Sequence, residues 1–247
     1  MIASTLVRDC LYVNWVLPRV GAPSLPAPLR YEVHRVSGVD NIFASAVMFH
    51  HEGVHLKSFP FVHLSYPQLN LRFYVFDEDE MPAVFFRAFF VPAWALPASR
   101  ALTGETSRWA TLHFPHLDQQ SEEESWRWEA RRGERLEVRA KRGVREGGGE
   151  VALGSWEETV AYFRQRPRGY LETGSKLKRI DTSHPSVEVW PLAAEVERWD
   201  LLDRYLPSPH GGWRKPHSAF LCPRVGMVFE TLPAQEARLG RQVAATG

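Results

Sequence analysis

Gln68, Asn70, Arg72 and Tyr74 alternate with Leu69, Leu71, Phe73 and Val75. Side chains two apart on a strand share a face, so a strand here would present two amides, a guanidinium and a phenol in one row. A planar guanidinium fork can hold both oxygens of a carboxylate. Two arrangements satisfy the alternation. In an open sheet the apolar row faces the core and the polar row faces water. In a closed barrel the polar row lines the lumen, and the apolar row packs beneath outer elements. Arg87, the lone charge in PAVFFRAFFVP, is not expected to be buried without a partner. It either faces the same cavity or pairs with an acid such as Asp77 or Glu78.

His51-Glu52-Gly53-Val54-His55 matches H-E-x-x-H. Zinc peptidase chemistry from this pattern needs a helix, which brings both imidazoles to one face and lets the glutamate polarise the metal-bound water. Val47, His51 and His55 would share such a face. Against it, Gly53 costs a helix interior roughly 1 kcal/mol, the upstream FASAVMF reads as strand, and Pro60 stops any continuation. The expectation is a hairpin turn with exposed histidines and no metal. The chain has no glycine-rich phosphate loop, no G-x-S-x-G elbow and no clustered Cys/His ligand pattern.

The elements around these residues are mostly strands. Tyr31–Val36, Ile42–Phe49, Leu69–Phe76 and the doubly apolar Ala83–Val91 all read as β. Pro92 suits a helix start and Gly104 the residue past its end, with Pro97 kinking the segment between. Residues 109–117 and 126–142 return to strand, the latter turning at Arg132-Gly133, and Gly147–Gly149 form a flexible loop. Ser155 and Glu158 make a capping box that opens a helix with Trp156, Val160 and Phe163 on one face, ended by Pro167. Residues 170–190 are β again. The class is α+β, predominantly antiparallel β, in a single domain 1–247: residues 1–232 carry the fold and 233–247 a peripheral tail.

Composition narrows the function classes. The 247 residues hold 30 Lys+Arg against 29 Asp+Glu, a net charge of +1, so no global field attracts nucleic acid or anionic lipid. Cys10 and Cys222 lie far apart in sequence with no CxxC, which fits a reducing compartment. The N-terminal stretch lacks a signal-peptide pattern, and no apolar run is long enough to cross a membrane. The expectation is a cytoplasmic protein with no nucleic-acid or membrane partner, with homo-oligomerisation left open.

Two blocks, LSYPQLNLRFYVFDEDEMPAVFFRAFFVPAWALPASRALTGETSR (64–108) and GYLETGSKLKRIDTSHPSVEVWPL (169–192), resemble the YqjF-like family of uncharacterised conserved proteins in the acetoacetate-decarboxylase-like superfamily. The resemblance implies a closed, cone-like barrel with a few flanking helices and an internal cavity. Asn70-Leu71-Arg72-Phe73-Tyr74-Val75 matches the family's N-x-R-x-Y-V signature, and His184-Pro185 its turn before Trp190-Pro191. The decarboxylases use a Schiff-base lysine in G-x-P-K-K. By the resemblance, Ser107 and Arg108 stand at that lysine pair, and Gln68 stands where the family's glutamate is. Serine has no amine and arginine stays protonated, so imine decarboxylation is not expected. Lys176 and Lys178 are the nearest other amines, read as solvated strand lysines.

The reading favoured at this point is a barrel binding a small, anionic organic molecule without a cofactor. Its candidate ligand residues are Gln68, Asn70, Arg72, Tyr74, Arg87, Ser107 and Arg108, with aromatics from residues 85–90. Two other readings stay open: a lyase or hydrolase acting without a lysine imine, or through zinc at His51 and His55, and a non-catalytic interaction module with a vestigial cavity. A cavity of several hundred cubic ångströms with convergent polar groups would separate the first two from the third.

Overall fold

In the computed structural model the described residues are 1–103, 107–117, 125–143, 153–209, 212–232 and 235–236. Gly104, Gly147–Gly149 and nearly all of the tail lie outside them. The long strands β1 (Ile2–Pro18), β4 (Val39–Leu56), β5 (Phe59–Phe76) and β6 (Pro82–Val91) stand side by side as antiparallel neighbours, with the short β2 (Arg30–Tyr31) and β3 (His34–Val36) pairing at the margins of β5 and β4. A 3₁₀ turn, Ala93–Ala95, leads into α1 (Leu96–Thr103). Pro97 therefore sits in the first turn of α1, where its missing N–H costs nothing, and does not kink a longer helix as the spacing suggested.

The short strands β7 (Ser107–Trp109) and β8 (Thr111–His113) precede the hairpin β9 (Trp126–Arg132) and β10 (Glu134–Arg142), whose turn lies at Gly133. Helix α2 (Trp156–Arg164) opens on the expected capping box: Ser155 accepts from the Glu158 amide, and Glu158 accepts from that of Ser155. The chain continues through β11 (Arg168–Thr173), β12 (Lys176–Ser183), β13 (Trp190–Arg198), α3 (Asp200–Asp203), β14 (Ser218–Thr231) and β15 (Gln235–Glu236). Among the described residues no helix is long and apolar enough to cross a membrane.

Sheet order runs β12-β11-β6-β5-β4-β1-β14, and a further β12–β14 pairing returns the last strand to the first. The strands thus form a closed ring, antiparallel except for the β6–β11 pair. From β14 the sheet continues outward through β13, β10, β9 and β8. This extension folds over the outer face of the ring. Leu69, Leu71, Phe73 and Val75 are fully buried there in one core with Trp126, Trp128, Leu136 and Val138. The apolar row of β5 is covered chiefly by a second sheet, not by flanking helices. Inside the ring, α2 sets Trp156 and Phe163 against the inner-face residues Phe43, Tyr74, Val84 and Phe220.

Candidate functional site: a cationic cavity inside the ring

The polar row of β5 points inward. Tyr66, Gln68, Asn70 and Arg72 line a cavity of about 130 Å³, with Phe86 and Phe89 of β6 opposite. The register of β5 against β4 is unbroken from Pro67 to Phe73, so strict alternation holds and all four side chains stay on one face. Its neighbours are re-phased by bulges. Asp9, at φ 52°, sits where the β1–β4 register slips, and the lumen-facing series Ala3, Val7 resumes at Cys10 and Tyr12. Gly53, at φ 65°, does the same between His51 and Val54 on β4, both of which line the cavity. On β6 the slip opposite Leu71 and Arg72 leaves Arg87 unpaired in the ladder. An extra residue in one strand switches the face of everything after it.

Arg72 is 9% exposed. Its guanidinium donates to the Phe163 carbonyl at 2.8 Å and to Tyr74 Oη at 3.1 Å, and lies over the Tyr12 ring at 5.0 Å. No carboxylate among the described residues lies within 4 Å of it. Because arginine can only donate, the rest of the chain of hydrogen bonds is polarised away from it. Tyr74 donates to Ser45 Oγ (2.7 Å), Ser45 to Asn14 Oδ1 (2.5 Å), and Asn14 Nδ2 to Ser218 Oγ (3.0 Å). This fixes the Tyr74 oxygen as an acceptor toward Arg72 and sets the guanidinium plane.

A second network surrounds His51. Its Nδ1 lies 3.2 Å from Thr5 Oγ1, its ring is hydrogen-bonded to Gln68, and Gln68 Nε2 donates to Asn70 Oδ1 at 2.6 Å. Burial pushes the His51 pKa down to about 4, outweighing the Gln68 bond, so the ring is neutral near pH 7. Burial likewise pushes Tyr66 up to about 12. At the far wall Arg164 reaches the Val187 carbonyl at 3.5 Å, while Arg166 is held by Glu32 at 2.7 Å and by the Tyr162 carbonyl. The described lining contains three arginines and neither a carboxylate nor a lysine. Arg166 is compensated by Glu32. In a low-dielectric pocket a cation without a carboxylate partner, as Arg72 is among the described residues, attracts anions far more strongly than on the surface.

The sequence-derived set divides. Gln68, Asn70 and Arg72 come together at the cavity wall, with Tyr74 buried directly behind Arg72. Arg87, Ser107 and Arg108 do not line it. The bulge turns Arg87 to the outer face, where its Nε donates to the Tyr205 carbonyl at 3.4 Å; it pairs with neither Asp77 nor Glu78. Asp77 instead binds Arg168 and Tyr170. Ser107 is buried against Ser99, with the hydroxyls 2.7 Å apart. Arg108 is exposed on β7 beside the Tyr205 ring.

The H-E-x-x-H residues lie within strand β4, where a helical zinc site has no geometry to form. They are not in a turn either, and His51 is buried, contrary to the expected exposed hairpin. His55 instead bonds the Gly53 carbonyl and packs on His63 at 4.8 Å. Sequence reasoning missed Arg164, Arg166 and His51 as cavity residues; the helix stop before Pro167, which puts Arg164 in the last turn of α2, was the signal for Arg164. The cavity is smaller than the several hundred cubic ångströms anticipated, though its polar groups do converge.

The structure is similar to that of an acetoacetate decarboxylase-like enzyme from Sphingomonas wittichii RW1, at 13% identity and a TM-score of 0.57 over 96% of this chain and 93% of that one. It is also similar to the enduracididine biosynthesis enzyme MppR complexed with pyruvate (11% identity, TM-score 0.54, 96% and 91% covered). A second MppR complex, with the condensation product of pyruvate and imidazole 4-carboxaldehyde, gives 10% identity and a TM-score of 0.56 over 94% and 88%. At these identities the likeness concerns the fold. No curated protein matches the chain. Residues 6–225 match the profile of DUF2071, described as an uncharacterized conserved protein, and the chain belongs to that family.

Proposed function

We propose that this protein binds a small organic carboxylate inside the ring, with Arg72 as the anion anchor, and that it does so without lysine-imine chemistry. The observation that carries this reading is a buried arginine facing a cavity without a carboxylate partner among the described residues. A buried charge left uncompensated is costly, and an anionic ligand supplies the missing partner. An apolar cavity of about 150 Å³ accommodates benzene, so the roughly 130 Å³ here suits an acid of about six heavy atoms. The MppR structure with pyruvate supports the size class. The described lining residues offer no amine to form an imine.

Calorimetric titration of short 2-oxo, 2-hydroxy and simple carboxylic acids, each beside its neutral amide, tests the reading. The acids should bind one to one and the amides should not; equal binding of an acid and its amide would overturn it. One feature favours a catalytic extension. His51, held by Thr5 and Gln68, presents a neutral imidazole to the cavity that could accept a proton from a bound acid, with burial making it a weak base. Turnover by this route would appear as deuterium entering the methyl group of pyruvate in D2O, and would vanish in His51→Gln.

A further inference from the structure

On the opposite face of the ring wall from the cavity, the β1 bulge, strand β4 and the segment after β8 bring three ligand-type side chains together. Asp9, His50 and His116 offer a carboxylate oxygen and two imidazole nitrogens, all within 4.8 Å of one another. Asp9 is 1% exposed, yet its Oδ2 has no hydrogen-bond partner. Nε2 of His50 is likewise buried and unpartnered. The other side of each group is accounted for: the Leu117 amide bonds the Asp9 carboxylate, and the Phe114 and Pro115 carbonyls bond the His50 ring. Two residues that each carry an orphaned buried atom therefore meet with ligand-type atoms within 4.8 Å, and buried polar groups normally have partners. His116 completes the set from the solvent side, its Nδ1 3.8 Å from Asp9 Oδ2 and its ring stacked on His50 at 4.1 Å.

We propose that Asp9, His50 and His116 bind a divalent transition-metal ion, Zn²⁺ by preference, with water at the fourth position. Two imidazoles and one carboxylate form a borderline donor set that suits zinc, and three protein ligands plus water is a common zinc arrangement. Bonds of about 2.0–2.2 Å in a tetrahedron set ligand atoms roughly 3.4 Å apart. His116 is largely exposed, and a rotation of its side chain would close the remaining distance. Burial holds the His50 pKa at about 4, which keeps its nitrogen available as a ligand near neutrality. The same burial raises the Asp9 pKa, the direction expected of a carboxylate without a cation. The nearby charges Arg8 and Glu52 neutralise one another across 3.7 Å. The ion would clasp the second sheet to the β1–β4 wall, because His116 follows β8 while Asp9 and His50 belong to the ring.

The test strips the full-length protein with chelator and titrates Zn²⁺ and Co²⁺ at pH 7.5, reading calorimetric stoichiometry, melting temperature and the visible bands of tetrahedral Co²⁺. One ion should bind and raise the melting temperature. Asp9→Asn, His50→Ala and His116→Ala should each weaken binding at least tenfold and remove the bands, while His113→Ala and His55→Ala should leave binding unchanged. His116→Ala alters a surface residue and keeps the test valid if the buried variants fail to fold. Three outcomes overturn the proposal: no stoichiometric ion, binding that survives His116→Ala, or a loss of stability in His116→Ala that is the same with and without metal. The last would mark an Asp9–imidazolium ion pair in place of a metal.

Discussion

Arg72→Met separates anion recognition from fold. In the parent, a bound carboxylate would take hydrogen bonds from a guanidinium that is 9% exposed and already oriented by Tyr74 and Phe163. Truncating one partner of a buried, hydrogen-bonded charge pair costs about 2–5 kcal/mol. At 1.4 kcal/mol per tenfold, affinity should fall by about 30-fold to several thousand-fold. The ligand-free protein should respond differently. Removing the charge relieves a desolvation cost, while Tyr74 and the Phe163 carbonyl each lose a donor, at about 1–3 kcal/mol per group. Methionine follows the arginine stem and packs its sulfur on the Tyr12 and Tyr74 rings. These terms oppose, so the melting temperature should move by only a few degrees, roughly 2–4 °C per kcal/mol at this size. Arg72→Lys keeps the charge but loses the fork and should fall between. Titration calorimetry with pyruvate and acetate, beside thermal melts of ligand-free protein, reads both quantities. An Arg72→Met protein that binds within about threefold of the parent would refute the anchor role. So would loss of binding explained by global unfolding, with Arg72→Lys unfolded as well.

Three further outcomes follow from the same geometry. Borohydride treatment with acetoacetate or pyruvate should leave the protein mass unchanged, since no lysine is among the described residues lining the cavity; an adduct on Lys178, whose pKa burial lowers, would contradict this. Acid should destabilise the chelator-treated protein through His51. Its folded pKa of about 4 lies below the unfolded value, so between about pH 6.5 and pH 4 the unfolded chain binds the extra proton and stability falls as pH falls, by on the order of 3 kcal/mol. The His50 pKa is lowered to the same value and contributes a comparable slope, so His51→Gln should remove about half of it, and an unchanged slope would assign it elsewhere. Finally, Gly169→Ala places a Cβ 2.4 Å from the Phe86 ring. It should cost about 1–3 kcal/mol and push Phe86 toward the cavity, measurable as weaker ligand binding with a lowered melting point; parent-like values for both would show that the ring has room to retreat.

How much of this was legible depended on whether a strand kept its phase. The row on β5 could be read because nothing interrupts its alternation from Tyr66 to Val75, and the resemblance chose the lumen over solvent. The α2 cap was equally plain, since Ser155 and Glu158 act through backbone only three residues away. Arg87 was misplaced for the converse reason. It sits at a bulge, and whether a strand bulges is decided by its partner's register and not by its own composition. Asp9 and Gly53 are the same case, and Asp9 carries no glycine to announce a positive φ. Ser107 and Arg108 were placed by aligning a lysine motif onto a chain that lacks it; β7 pairs with Phe89–Val91 at the end of β6, at the margin of the ring.

Long-range pairing hid the rest. Cys10 and Cys222, 212 positions apart, face one another across the β1–β14 ladder, and His116 reaches Asp9 through a crossover between sheets. These contacts join strands distant in sequence, and no local pattern encodes which strands will meet. The bulge at Asp9 ties the two candidate sites to one physical cause. As the extra residue of the strand, Asp9 leaves Cys10 and Tyr12 facing the cavity and is itself buried against the outer face beside His50. A deletion of Asp9 would restore plain alternation with Val7, Cys10 and Tyr12 still on the cavity face, and would remove only the ligand-type group from the outer cluster. Loss of zinc binding with carboxylate binding retained is the expected result, read by calorimetric titration of each ligand; loss of both would show that the bulge itself shapes the cavity.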